Sequence, residues 1–133
     1  MDKLLSICIP TYNRAVCLQE CLESILLSAK GFEDKIEINI LDNASRDNTE
    51  EVVRKYQARY KFINYKKRLN AVNVNENIFE AASLSTGSYI WVFGDDDKVV
   101  STAVSKVMKR IEEGYNFIIC NSTLYNRDFT KII

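Results

Sequence analysis

Three consecutive carboxylates, Asp95, Asp96 and Asp97, follow the apolar run Tyr89-Ile90-Trp91-Val92-Phe93 after a single glycine, Gly94. β-Branched and aromatic residues fill that run and small polar residues bound it, so it reads as a buried strand. Acids crowded at the end of such a strand repel one another and lower each other's stability. A cation is the chemical answer, and Mg²⁺ or Mn²⁺ bridging a phosphate is the natural one. A run of charge is more often a solvated face, but such runs lie on helices or tails rather than directly after Trp91-Val92-Phe93.

Two other polar clusters also follow apolar runs. Pro10-Thr11-Tyr12-Asn13-Arg14 offers a ring, an amide and a guanidinium that could stack on a base and bond its edge. Equally, Pro10 could simply end a strand and Asn13 cap a helix. Asp42-Asn43-Ala44-Ser45-Arg46-Asp47-Asn48-Thr49 puts a carboxylate at another strand end. A calcium loop is excluded there, because Asp47 stands at the sixth position where the turn needs glycine. Asp47 therefore reads as a helix cap and Asp42 as the candidate for ligand contact. Asn70, Asn73, Asn75 and Asn77 suit a solvated loop as well as they suit a sugar or phosphate.

The elements that would position these clusters alternate. Leu4 to Ile9, Ile36 to Leu41, Phe62 to Tyr65, Tyr89 to Phe93 and Phe117 to Cys120 read as strands. Leu18, Cys21, Leu22, Ile25, Leu26 and Ala29 recur at helical spacing until Gly31. Asp47-Asn48-Thr49-Glu50 suggests a capping box for a helix reaching Tyr60. Further helices are expected over 77–85 and around Val104, Val107, Met108 and Ile111, up to Gly114. Alternation of this kind implies an α/β fold with a mostly parallel sheet and helices on both faces. Ligands gather beyond the carboxyl ends of such strands, where all three polar clusters fall.

Bulk properties narrow the function. At 133 residues the chain is one domain, 1–133. Lys+Arg and Asp+Glu balance at 18 each, so no global field draws nucleic acid or an anionic membrane. No histidine is present, which rules out Ser-His-Asp or Cys-His catalysis and the usual Cys/His zinc sites within this chain. Cys8, Cys17, Cys21 and Cys120 read as core residues. No apolar run reaches a membrane span and no signal peptide is evident, so a cytoplasmic location is expected, with peripheral attachment at the inner face of the membrane open. The segment Leu124 to Ile133 ends the chain in a strand-like stretch without a closing element, as if truncated.

Together these residues resemble the family 2 glycosyltransferases, enzymes of the GT-A (Rossmann-like) fold that use nucleotide-diphospho-sugars. Ser6 to Arg14 is similar to the family's opening strand and Pro-Thr-Tyr-Asn signature. Glu37 to Thr49 is similar to its second strand and Asp-x-x-Ser-x-Asp-x-Thr loop, with Ala44 standing in place of a common glycine. Asn77, Thr86 to Ile90 and Asp95 to Asp97 match the approach to its Asp-x-Asp motif. The resemblance implies Thr11, Tyr12, Asn13 and Arg14 around the nucleoside and Asp42, with Asn43 beside it, on the base. It further implies Asn77 in the donor site, Asp95 and Asp96 near ribose and diphosphate, and Asp97 as ligand to Mn²⁺ or Mg²⁺. The activity implied is metal-dependent, inverting transfer to a glycan or lipid-linked acceptor, in cell-surface polysaccharide synthesis. No general base is identifiable, since Glu112 and Glu113 read as solvated. The chain is thus expected to be the donor-binding part of a longer enzyme, or a nucleotide-sugar-binding module without catalysis. Self-association through the surface left by an acceptor half is a further expectation.

Overall fold

The computed structural model describes residues 2–133. Eight elements alternate along the chain: β1 (Leu5–Thr11), α1 (Ala15–Ser28), β2 (Ile36–Asp42), α2 (Thr49–Gln57), β3 (Ile63–Lys67), α3 (Val74–Ser83), β4 (Tyr89–Val92) and α4 (Ala103–Glu112). The strands form one sheet in the order β3-β2-β1-β4, and every pairing is parallel. β1 and β2 lie at the centre, which is why their sequences are almost continuously buried. Their register sets Thr11 beside Asp42, so both strands deliver their loops at the same level.

The two faces of the sheet are built differently. Leu5, Ile7 and Ile9 of β1 and Ile36, Ile38 and Ile40 of β2 meet α1, α2 and α4 in the main core, through Leu18, Leu22, Ile25, Val53, Val104 and Met108. The opposite face carries α3 over a small apolar group, Cys8, Leu41 and Ala81. Beside that group the strands hold polar side chains, which need partners there. Glu37 supplies most of them. Its Oε1 accepts from Ser6 Oγ at 2.6 Å, Thr86 N at 2.7 Å and Asn39 Nδ2 at 3.0 Å. Gly87 N donates to the same Ser6 hydroxyl at 2.9 Å, so close that a Cβ at Gly87 would stand 2.8 Å from that oxygen. The chain thus enters β4 stitched to β1 and β2.

Several local expectations are corrected. β4 is not a buried strand: it lies at the edge of the sheet, with Ile90 and Val92 exposed and only Phe93, just past its end, buried. Helix α3 starts at Val74, because Asn73 Oδ1 accepts from Glu76 N at 3.0 Å and caps it, so part of the asparagine-rich segment is helical. Asn48, not Asp47, is the N-cap of α2, and the helix ends at Gln57 rather than near Tyr60. Phe117 to Cys120 is not a strand: Phe117 and Ile119 are 80% and 81% exposed and Cys120 is exposed, with only Ile118 packed on the core. Tyr89 donates its hydroxyl to Tyr115 O at 2.6 Å, fixing the chain off the outer edge of β4. A cavity of about 460 Å³ separates this segment from the edge and from Val107 and Ile111. Leu124 to Ile133 closes on itself as a small hairpin bridged between Tyr125 and Ile132.

Burial works to raise the Glu37 carboxyl, but hydrogen bonds from Ser6, Thr86 and Asn39 outweigh it and hold the acid below its ordinary value. The unfolded chain takes up this proton near pH ~4.3, the folded chain only at lower pH. The stabilisation is therefore full above that pH and lost as pH falls through the folded value. Glu37→Gln sets an amide against these donors and should lower stability at neutral pH by about 2 kcal/mol. Urea unfolding as a function of pH checks this, and the variant should lose part of the acid-sensitive limb.

Candidate functional site

The carboxyl ends of β1, β2 and β4 open on one rim of the sheet, and the three polar clusters meet there. Gly94 turns the chain out of β4 into the acids, with Asp97 N donating to Gly94 O at 3.2 Å. A Cβ at Gly94 would lie 2.7 Å from Asp97 Oδ2, so a larger residue there would push the Asp97 carboxylate out of its place. Asp95 points inward and is 7% exposed. Its Oδ2 accepts from Thr11 Oγ1 at 2.8 Å and its Oδ1 from Arg14 Nη1 at 3.1 Å. The same guanidinium nitrogen reaches Asp96 Oδ2 at 2.7 Å. Arg14 thereby neutralises two of the three acids. The Asp97 carboxylate has no hydrogen bond or ion pair among the described residues.

The charge states follow this division. Asp95 and Asp96 push the Arg14 guanidinium further up, so it stays protonated. Burial raises the Asp95 carboxyl, Thr11 and Arg14 pull it back, Asp96 adds to the rise, and the net is upward. Asp97 is raised by burial and then by repulsion from Asp96 and Asp95, with no donor to oppose them. It is the acid with free oxygens and the least compensation.

A zipper of hydrogen bonds extends the β1–β2 ladder past the strand ends. Asn43 N donates to Thr11 O at 2.9 Å, Asn13 N to Ser45 Oγ at 2.8 Å, and Arg46 N to Asn13 Oδ1 at 2.8 Å. Ala15 N, at the start of α1, donates to Asp47 Oδ2 at 3.1 Å, and Thr49 N, at the start of α2, to Asp47 Oδ1 at 3.0 Å. Asp47 is therefore structural, as expected, but it serves two helices. Asn13 is no helix cap; it sits in the left-handed region at φ +50° and ties two loops together.

Exposure divides the candidate residues into two groups. Tyr12 is 48% exposed, and Arg14, Asp96 and Asp97 also present themselves to solvent. Asp42 is fully buried, with Oδ1 accepting from Ser45 N at 2.8 Å and Oδ2 from the Tyr65 hydroxyl at 2.7 Å. Asn43 clamps the backbone of Val72 through both ends of its amide, at 2.8 and 2.9 Å. Asn77 donates to Leu41 O at 3.3 Å and accepts from Arg68 Nε at 3.1 Å. In this arrangement Asp42, Asn43 and Asn77 hold the rim in shape, while Tyr12, Arg14, Asp96 and Asp97 face solvent. Ser45, already part of the loop pattern, and Tyr65, unnoticed in the sequence, complete the network; only its pairing with Asp42 in three dimensions reveals Tyr65.

The sequence pattern described as glycosyl transferase family 2 matches residues 6–133. The chain belongs to that family. Among curated relatives, the abequosyltransferase RfbV of Salmonella typhimurium is 36% identical over 132 residues, covering 97% of this chain and 39% of that protein. The GalNAc(5)-diNAcBac-PP-undecaprenol β-1,3-glucosyltransferase of Campylobacter jejuni is 34% identical over 123 residues, covering 88% and 37%. This chain therefore spans well under half the length of either. S. aureus TarS superposes with a TM-score of 0.75 at 21% identity, over 83% of this chain and 32% of that one, and has been solved with UDP and with UDP-GlcNAc. The mannosyltransferase PcManGT of Pyrobaculum calidifontis, solved with GDP-Man and Mn²⁺, gives 0.64 at 22%, over 72% and 28%. The GT-A architecture expected from the sequence is the one found.

Within the family 2 loop after β2, Ala44 holds φ at +62°, where glycine carries no Cβ penalty. Ala44→Gly should stabilise the chain by roughly 0.5–1 kcal/mol, the relief of strain less the entropy gained by the unfolded chain. Asp97→Asn removes an uncompensated charge and should raise the melting temperature. Thermal unfolding at neutral pH checks both variants.

Proposed function

We propose that this chain is the donor-binding part of a glycosyltransferase that takes a sugar from a nucleotide diphosphate. The observation that carries the reading is the division of labour among the three acids. Arg14 occupies Asp95 and Asp96, leaving Asp97 unpaired at the rim where strand ends and loops converge. Among the described residues no three acidic or sulfur side chains form a ready-made metal cage. That fits a Mg²⁺-like ion, which is commonly held by one or two carboxylates together with substrate phosphates. Asp97 would hold Mn²⁺ or Mg²⁺ jointly with the diphosphate, and the ion would neutralise the charge that develops on the leaving group. Arg14 is placed to share that task, and the ring of Tyr12 to stack on the base.

For the base to reach Asp42, the Tyr65 hydroxyl must move aside, so the Asp42 contact implied by the resemblance requires a rearrangement of this network. Transfer by a single in-line displacement would invert the anomeric centre. A glycan or lipid-linked acceptor draws support from the undecaprenol-linked glycan in the name of the Campylobacter jejuni relative. Cell-surface polysaccharide synthesis on the cytoplasmic side of a membrane is part of the same proposal. No described helix is long and apolar enough to cross a membrane.

Calorimetric titration with UDP, and then with other nucleoside diphosphates, tests the reading with and without Mn²⁺. Binding should strengthen about tenfold or more with metal, and Asp97→Ala should lose that gain. Equal affinity with and without Mn²⁺, unchanged in Asp97→Ala, would sink the metal assignment. Turnover by a longer form of the protein separates an enzyme from a module that only binds.

A further inference from the structure

One face of α1 carries small polar side chains among its apolar ones, and they all point at the segment that follows β4. Cys21 Sγ donates to Gly94 O at 3.5 Å, Val99 N donates to Ser24 Oγ at 3.1 Å, and Val104 N donates to Ser28 Oγ at 2.9 Å. Residues 21, 24 and 28 lie one turn apart on a helix, so the three contacts fall in a line along its axis. Glu20 on the same helix pairs with Lys98 Nζ at 2.8 Å. Helix α1 thereby holds residues 94–104 at four points, and the metal and nucleotide contacts proposed above account for none of these bonds.

The hydroxyl of Ser24 is set for this role. It donates to Cys21 O of the preceding turn at 2.8 Å, which orients the oxygen and leaves its lone pairs for Val99 N. Val99 lies two residues beyond Asp97. Asp97 has no partner of its own and is repelled by Asp95 and Asp96, so its backbone needs an anchor on each side. Gly94 O anchors Asp97 N on one side, and Ser24 anchors Val99 on the other. Ser28 acts farther on: it receives the Val104 N–H at the start of α4, where Thr102 makes no side-chain cap of its own.

We propose that Ser24 is a positioning residue for the acid turn, holding the Asp97 carboxylate where a divalent cation and a diphosphate can share it. The role rests on the donor-binding reading above. Within the stripe the work is divided, Ser24 serving the acid turn and Ser28 serving the stability of α4.

The test compares UDP binding in Mn²⁺ and in EDTA for the wild type, Ser24→Ala, Ser24→Thr and Ser28→Ala. It adds amide hydrogen exchange of residues 95–99 in ligand-free protein. Ser24→Ala should weaken Mn²⁺-dependent binding about fivefold, leave binding in EDTA unchanged and speed exchange across 95–99. Ser24→Thr, which keeps the hydroxyl, should restore both readouts. Ser28→Ala should lower the melting temperature and leave the ratio of the two affinities as in wild type. A Ser24→Ala protein that melts earlier but keeps the wild-type ratio would overturn the positioning role while leaving the donor site standing. A folded wild type that binds no nucleoside diphosphate in either buffer would overturn the donor reading, and this role with it.

Discussion

Like charges at the end of the edge strand β4 are the constraint around which this molecule is organised. Asp95, Asp96 and Asp97 follow one another directly, so their repulsion cannot be relieved by distance along the chain. Arg14 relieves two of them, and it can do so only because β1 and β4 are paired in parallel and end on the same rim. Its place at the start of α1 is electrostatically awkward, since a helix N-terminus already carries partial positive charge. The first turn of α1 holds no acid, and Arg14 at its cap position makes no side-chain capping bond to the helix. Asp47 answers this from the neighbouring loop through its bond to Ala15 N. Burial opposes its ionisation, yet hydrogen bonds from Thr49 and Ala15 hold the carboxyl below its ordinary value. The acids thus demand Arg14, and Arg14 at a helix start is balanced by Asp47.

Residues at this rim serve two different ends. The buried ones, Thr11, Asp42, Asn43, Asn77 and Asp95, have their polar atoms matched by neighbours, and no buried side-chain nitrogen or oxygen among the described residues lacks a partner. They give shape. Of the exposed ones, Arg14 and Asp96 pair with each other, while the Tyr12 ring and the Asp97 carboxylate are left without a partner among the described residues. Such imbalance is characteristic of places where a protein gives up stability for binding.

The central sheet was legible because β1 and β2 are buried on both faces, and continuous apolar runs such as Ile36 to Leu41 report that directly. The meeting of three polar clusters at one rim followed from the parallel order of the strands. What sequence could not convey was which polar atoms would satisfy one another across the sheet. Asp42 looked free because its partner, Tyr65, lies on another strand 23 residues away. Asn73 looked like loop because a cap and a loop asparagine have the same composition. Phe117 to Cys120 has every local mark of a strand, but a strand also needs an edge to pair with, and the Tyr89–Tyr115 bond holds this segment off that of β4.

The zipper between the loops after β1 and β2 constrains how such a site can change over evolutionary time. Asn13 bonds Ser45 through its backbone and Arg46 through its side chain, while Asp47 spans the starts of α1 and α2. A replacement in one loop is therefore felt in the other, and the effects of paired replacements do not simply add. A lineage remodelling this rim would have to pass through compensated combinations of substitutions. The order in which they arose would then matter as much as their identity.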